Sequence, residues 1–547
     1  MKNEVQKIVL EAIKELQKSQ KLADFELPEI GVEYAKNEKY GDYATNVAMV
    51  LAKLSGKSPM EIADNLKSQI PASPARLAAK RAGGSNLKSD FFEKIEVAAP
   101  GYVNFYLSKK YLQNKISEIN NEKENFGNSE IGKGKKINNE FISANPTGPL
   151  HLGNGRGGFC GDSLGKVLRK NGFEVVNEFY VNDFGEQVVK LGHSVLKDDE
   201  AVYAGEYIEE LNKKLGSGTD VKETGMKAAD IILNDIIKKT ITEKMQIGFD
   251  SWISEKTLHD EKYVEMAIEI LKKKKLTEEK EGALWLKTTK FGDDKDRVLI
   301  KSNGQKAYLA SDCGYLLNKI ERKFDRMIEI WGADHHGYIS RFQAAAKALG
   351  FSGELKFIIV QLVRLMKDGK EARMSKRAGN VVSIDELIEK VGHDVTLFFF
   401  LMYSADAHMN FDLGLAEEKS QKNPVYYVQY AHARICSILR KSQISNLKSQ
   451  KELDLSLLSQ EKELSLIKEL NKFPELVEEI SKSYEVHKLP YYAIKLADKF
   501  HSFYADCRVI DEENPELTQA RLCLVNAVRI VLAETLRLIG VNAPEKM

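Results

Sequence analysis

The sequence lacks a long apolar run, a paired cysteine motif and a surplus of charge of either sign. The apolar run near its middle, residues 397–402, is far shorter than the ~20 residues that cross a bilayer, so no membrane span is expected there. The five cysteines (Cys160, Cys313, Cys436, Cys507 and Cys523) are scattered and form no C-x-x-C pair, which argues against zinc. An odd, dispersed set fits a reducing compartment. Lys and Arg total 81 against 80 Asp and Glu, a net charge of +1. That balance neither demands nor excludes a polyanionic partner, because a basic face can sit within a neutral total. The first residues, MKNEVQKIVLEAIKELQK, are not poor in acids as transit peptides are: they carry Glu4, Glu11 and Glu15. They place Val5, Ile8, Val9, Ala12, Ile13 and Leu16 at helical spacing, which reads as an amphipathic helix of a cytoplasmic protein.

With 547 residues, 43% of them hydrophobic, the chain is too long for one core, and three or four domains are expected. Residues 1–110 mix helix, a turn-like KYGDYATNVAM and a terminal strand, PGYVNFYL. Within them, the Pro-, Ala- and Gly-rich stretch 71–86 reads as a surface loop. A polar helix at 111–125 and GKGKK at 132–136 mark a boundary. INNEFIS, EVVNEFYV, ALWLKTT, RVLI, RMIEIWG and KFIIVQLV then read as strands alternating with helices, the pattern of a parallel sheet. Residues from about 190 to 295 look like a mainly helical insertion. From 415 to 547 the chain is expected to be an all-helical bundle. Asn423–Pro424 and Asn514–Pro515 serve there as helix starts and Gly540 as a stop.

The stretch SANPTGPLHLGNGRGG contains a formal G-x-G-x-x-G at Gly153, Gly155 and Gly158. A dinucleotide loop needs its first glycine directly after a strand, whereas ANPTGPLH intervenes here. A Rossmann oxidoreductase is therefore the weaker reading, although Glu178 ends the next strand where such folds place a ribose-binding acid. Glycines ahead of a helix from Phe159 would instead bare its first amides for an anion, with His151 and Asn154 as neutral donors. A second phosphate-binding element is available in GKEARMSKRAGNVVS, where Lys370, Arg373, Lys376 and Arg377 gather around a Gly-flanked loop.

HLGN resembles the HIGH signature of class I aminoacyl-tRNA synthetases, and RMSKR resembles their KMSKS signature. The segments EFISANPTGPLHLGN, FYVNDFGEQ, ALWLKTTKFGDDKDRV, YLASD, WGADHHGYI, SADAHMNFD and NPVYYVQYAHARI, in this order, are similar to those of the arginyl-tRNA synthetase family. GDYATNVAM near the start and the closing GVNAPEKM are similar too. Two departures stand out: Asn154 replaces the second signature histidine and Arg373 the first signature lysine.

The resemblance implies an α/β fold, with a Rossmann-like parallel-sheet catalytic domain (111–414), an α+β N-terminal domain that contacts the tRNA elbow (1–110) and a helical anticodon-binding domain (415–547). It implies activation of L-arginine by ATP with Mg²⁺, then transfer to the 3′ end of tRNA(Arg), with adenylate formation dependent on bound tRNA. Catalysis would fall to His151, Asn154 and Lys376. Gly153, His336, Arg373, Met374, Ser375 and Arg377 would complete the ATP site. Glu140, Asn145, Tyr308, Asp312 and His336 would bind arginine. Tyr102, Asn104, Tyr426, Tyr430 and Arg434 would touch tRNA, and His432 and Arg440 lie on the same expected helix. Asp312 is the foremost guanidinium candidate; outside the resemblance it reads as a surface acid, and Tyr308 as a core aromatic. His335 and His336 invite a metal reading, but neighbours on a strand end point apart, and a pocket wall fits them better. No zinc, no tightly bound cofactor, no membrane and a monomer are expected. The alternative is a catalytically decayed tRNA-binding or amino-acid-sensing relative.

Overall fold

A computed structural model describes residues 1–35, 37–70, 91–372, 382–442 and 453–547. The loop expected at 71–86 and the segment RMSKR lie outside the described residues.

The first part is a four-stranded antiparallel sheet of order β1-β2-β4-β3: β1 (Glu33–Tyr34), β2 (Tyr43–Thr45), β3 (Phe92–Ala98) and β4 (Tyr102–Leu107). The helix Lys2–Lys18 buries Val5, Val9, Ala12, Ile13 and Leu16, nearly the face its spacing marks out. KYGDYATNVAM is more ordered than a turn: it holds β2 and the start of the helix Val47–Ser55.

The central layer is parallel. Strands β5 (Lys136–Glu140), β6 (Glu174–Val181) and β7 (Ser251–Ser254) run side by side. β8 (Thr277–Lys280), β9 (Ala283–Leu286) and β10 (Arg297–Ile300) form a separate antiparallel sheet, so ALWL and RVLI are strands but not members of the main sheet. β11 (Arg326–Gly332) and β12 (Glu354–Val360) complete the order β12-β11-β5-β6-β7. β7 lies within 190–295, so that stretch is not only a helical insertion: it supplies an edge strand of the main sheet. β13 (Val363–Lys367), β14 (Lys370–Glu371) and β15 (Met409–Asp412) make a small third sheet.

The helix after β5 begins at Leu152 and runs to Lys170, seven residues earlier than Phe159, the start read from the sequence. Its glycines are therefore not a loop. A Cβ at Gly155 would meet Ile384 at 2.5 Å, one at Gly158 would meet Met245 at 2.7 Å, and one at Gly161 would meet the Phe141 ring at 2.3 Å. At Gly165 it would meet Asn177 at 2.7 Å. Spaced three to four apart, these residues strip one helix face to backbone so that it can lie close on β5, β6 and their neighbours. The glycine pattern thus serves packing, and the dinucleotide reading fails on geometry.

The last part is helical: Pro424–Lys441, Glu461–Asn471, Phe473–Ser483, Lys488–Asp506 and Pro515–Ile539. Asn423 caps as expected, its side chain accepting from Val425 N at 3.1 Å. Asn514 makes no such cap; its amide turns back to donate to Asp511 at 3.0 Å. Gly540 ends the last helix at φ 103°. No helix among the described residues is long and apolar enough to cross a membrane.

Gly161→Ala is expected to destabilise the protein by about 1–3 kcal/mol, because the added methyl overpacks against Phe141. Gly157→Ala meets nothing nearer than 3.9 Å, and is expected to be neutral or stabilising by up to about 1 kcal/mol. Denaturant unfolding of the two variants checks this; equal effects would refute the packing account.

Candidate active site

His151 is the N-cap of the glycine-faced helix. Its Nδ1 accepts from Gly153 N at 3.1 Å and Asn154 N at 3.3 Å, while Asn154 Oδ1 accepts from His151 N at 3.1 Å. This reciprocal box occupies the first amides, so they are not bare for an anion as the sequence implied. Desolvation holds the imidazole below its ordinary pKa, with Asp334 opposing. With Nδ1 an acceptor, the proton of the neutral ring sits on Nε2. At Gly153 a Cβ would sit tightly against the His151 ring, 3.0 Å from its Cε1. The chain after the undescribed segment 373–381 returns to this point, where Ser383 bridges His151 and Ile384 N donates to Leu150 O at 2.9 Å. Its other end leaves β14, with Ala372 N bonded to Leu365 O.

Past the carboxyl end of β5 the backbone turns sharply through Ile142 (φ 69°) and Ser143 (φ 38°), left-handed values that are costly for a β-branched residue. Ser143 holds the turn: its hydroxyl donates to Glu140 at 2.9 Å and accepts from Tyr180 N at 3.1 Å. Asn145 follows, exposed, with its Oδ1 accepting from Asn182 at 2.8 Å.

Acidic groups gather here. Glu140 is buried at the end of β5, and Asp312, on the helix Tyr308–Glu321, is near enough to feel its charge. Tyr308, on the same helix face, is 66% exposed. Asp312 is half-buried and accepts a hydrogen bond from Tyr338, yet among the described residues it has no ion-pair partner. Its pKa is pushed up to about 7, first by desolvation and further by Glu255 and Glu140, against the Tyr338 bond and Arg341. Glu255 is buried at the end of β7, with His259 at 3.7 Å. Burial followed by the charges of Glu255, Asp312, Glu140 and Asp183 drives the Tyr180 hydroxyl far above its ordinary value. Among the described residues neither Asp312 nor Glu255 is ion-paired with a lysine or arginine, which suits them to a cation.

His335 and His336 sit not on a strand end but on the 3-10 turn Ala333–Tyr338, both exposed; His335 pairs with Asp334 at 3.5 Å. That turn brings Tyr338 to Asp312 and leaves His336 facing outward. Among the described residues no cluster of His, Cys, Asp or Glu is arranged to hold a metal ion.

The residues expected against tRNA divide. Tyr102 is 40% exposed and Asn104 4% exposed, both on β4 between β2 and β3. On the helix Pro424–Lys441, Tyr426 and Tyr430 are half-buried. Tyr430 stacks on His501 at 6.2 Å, and Arg434 lies over Tyr504 at 4.3 Å. With Lys441 and Arg508 they line an open groove of about 640 Å³. His432 belongs to the core, 3% exposed and bonded to Pro544 O at 2.9 Å, and Arg440 donates to Glu545 O at 3.1 Å.

The arginine–tRNA ligase of Listeria welshimeri is 42% identical to this chain over 560 residues, covering 96% of both. The chain belongs to the arginine–tRNA ligase family. The arginine–tRNA ligase of Bacillus velezensis is 42% identical over 549 residues, covering 95% of each chain. Family models for the arginyl-tRNA synthetase N-terminal domain, the class I (R) catalytic domain and the DALR anticodon-binding domain match residues 3–107, 196–396 and 428–547. The fold is that of the arginyl-tRNA synthetases of Thermus thermophilus (TM-score 0.76, 20% identity, all of both chains) and Plasmodium falciparum (TM-score 0.77, 20% identity, 100% of this chain and 99% of that one).

Sequence reasoning missed Glu255 and Tyr338. SWISEKTLHD gives Glu255 no motif, and only the strand order, which sets β7 beside β6, brings it to the pocket.

His151→Ala is expected to cost about 1 kcal/mol of stability by removing the cap, and His151→Asn to recover most of it, since Asn caps well. Denaturant unfolding tests this; an unchanged His151→Ala protein would contradict the capping geometry.

Proposed function

We propose that the chain activates L-arginine with ATP and transfers it to the 3′ end of tRNA(Arg). In the first step an arginine carboxylate oxygen attacks the α-phosphorus, the bond to the β-phosphate oxygen breaks, and pyrophosphate leaves with Mg²⁺, which enters as part of the nucleotide substrate. In the second a terminal ribose hydroxyl of the tRNA attacks the carbonyl carbon and AMP leaves. The carrying observation is Asp312, desolvated and without a cation, beside Glu255 and Glu140. A guanidinium completes that arrangement, and its planar fork suits paired carboxylates better than an ammonium does.

Within this reading Asp312 and Glu255 take the guanidinium side, with Tyr308 over the opening, and Glu140 and Asn145 take the amino-acid end. His151 donates its Nε2–H to ATP, joined by Asn154, Gly153 and His336. Arg373, Met374, Ser375, Lys376 and Arg377 close on the β- and γ-phosphates, where preorganised charge stabilises the transition state. Asn154 closes the capping box with His151, its Oδ1 accepting from His151 N. Residues 1–110, with Tyr102, are assigned to the tRNA elbow. Residues 111–414 are assigned to catalysis, and 415–547, with Tyr426, Tyr430 and Arg434, to the anticodon loop, whose splayed bases stack on aromatics. We further propose a cytoplasmic monomer without zinc or a resident cofactor.

ATP–pyrophosphate exchange is expected with arginine alone among the standard amino acids, and only when tRNA is present. Asp312→Asn is expected to raise the arginine KM about 100-fold, since it strips one partner from a desolvated charge pair, and to leave the ATP KM nearly unchanged. Exchange with a different amino acid would overturn the assignment.

A further inference from the structure

Glu329, Glu140 and Glu178 are directly cross-strand neighbours on β11, β5 and β6, one row across the sheet. All three are buried, Glu178 and Glu329 almost completely. The helix Tyr308–Glu321 and its C-cap lay three donors on them. Lys319 Nζ is 2.5 Å from Glu140 Oε2 and 2.6 Å from Glu329 Oε1. Tyr315 Oη is 2.7 Å from both Glu140 Oε2 and Glu178 Oε1. Arg322 pairs with both oxygens of Glu178. Lys319 is completely buried and also lies over the Tyr315 ring at 4.3 Å. An ion network of this kind is weak as a source of stability, since desolvation offsets its attraction, so its presence beside the pocket calls for another reason.

We propose that Lys319, assisted by Tyr315, is a positioning residue for arginine recognition: it acts through Glu140, fixing that carboxylate in place at the pocket wall. This rests on the functional reading above. One helix carries both Asp312 and Lys319, seven residues apart, so the helix that presents one acid to the pocket also clamps the other. Three carboxylates meet two cations, leaving the row one positive charge short, and a proton meets the deficit on Glu329. Burial and the nearby Glu140 push the pKa of Glu329 up to about 8, against the pull of Lys319. The groups facing Glu140 are therefore Lys319 and Tyr315 from the helix, Ser143 from the turn, Glu329 from β11 and Glu178, itself held by Arg322, from β6. With Glu329 neutral, the ammonium serves Glu140.

The test separates positioning from folding. Lys319→Met alone leaves the buried Glu140 carboxylate without its cation and Glu329 without its hydrogen-bond partner, and is expected to lower the thermal midpoint sharply. The double variant Lys319→Met/Glu329→Leu also removes the orphaned Glu329 carboxyl, leaves Glu140 with Tyr315 and Ser143, and is expected to recover part of that loss as a folded protein. In ATP–pyrophosphate exchange with tRNA, its arginine KM is expected to rise about tenfold or more, the scale of losing one charged hydrogen-bond partner. Its ATP KM is expected to stay within about twofold of wild type. An unchanged arginine KM in the folded double variant, or an equal rise in both KM values, would overturn the proposal. Wild-type protein without arginine-dependent exchange would instead overturn the functional reading beneath it, so the two failures are distinguishable.

Discussion

Buried negative charge without enough buried positive charge organises the catalytic layer. Glu140, Glu178 and Glu329 lie in one row across the parallel sheet, and Asp312 and Glu255 add two more acids beside it. Desolvating a carboxylate is expensive unless hydrogen bonds and a cation compensate. Lys319, Arg322 and Tyr315 compensate the row. Asp312 is left with a phenol hydroxyl and a raised pKa. In the proposed reading a substrate cation supplies what the fold withholds. The same deficit then gives selectivity, because a neutral side chain would leave Asp312 and Glu255 unpaired.

The acids can converge only because backbone comes close to backbone. The helix Leu152–Lys170 lies against the sheet on glycine, and Phe141 and Asn177 fill the space that Cβ atoms would take. Its first turn, capped by His151, stands over the strand ends, and Ser383 returns to bridge the same histidine. Packing and capping thus set His151 and Asn154 at the helix start that follows β5, the strand that ends at Glu140.

Much of the architecture was legible in advance. EVVNEFYV is the strand Glu174–Val181, and the amphipathic first helix buries the face its spacing marks. The glycine motif was misread because helix-packing glycines and phosphate-loop glycines look alike in one dimension; the difference is which atoms a Cβ would strike. Strand polarity alone did not show that Asn104 would be buried while Tyr102, two residues before it, stays 40% exposed. Asp312 and Tyr308 were found through family resemblance, whereas Glu255, Tyr338 and Lys319 carry no local signature. Those three depend on strand order and on one helix crossing three strands, facts of topology rather than of sequence spacing.

Proton release on arginine binding tests the central claim most directly. In the free protein Asp312 titrates at about 7, raised from the ordinary carboxyl range. Below that pH it holds a proton, which a bound guanidinium must displace; well above it there is none to displace. Calorimetric titration with arginine in buffers of different ionisation enthalpy should show release approaching one proton at about pH 6 and falling toward zero by about pH 9. Binding of arginine at about pH 6 with no proton released would contradict a pocket built on an unbalanced, proton-holding carboxylate.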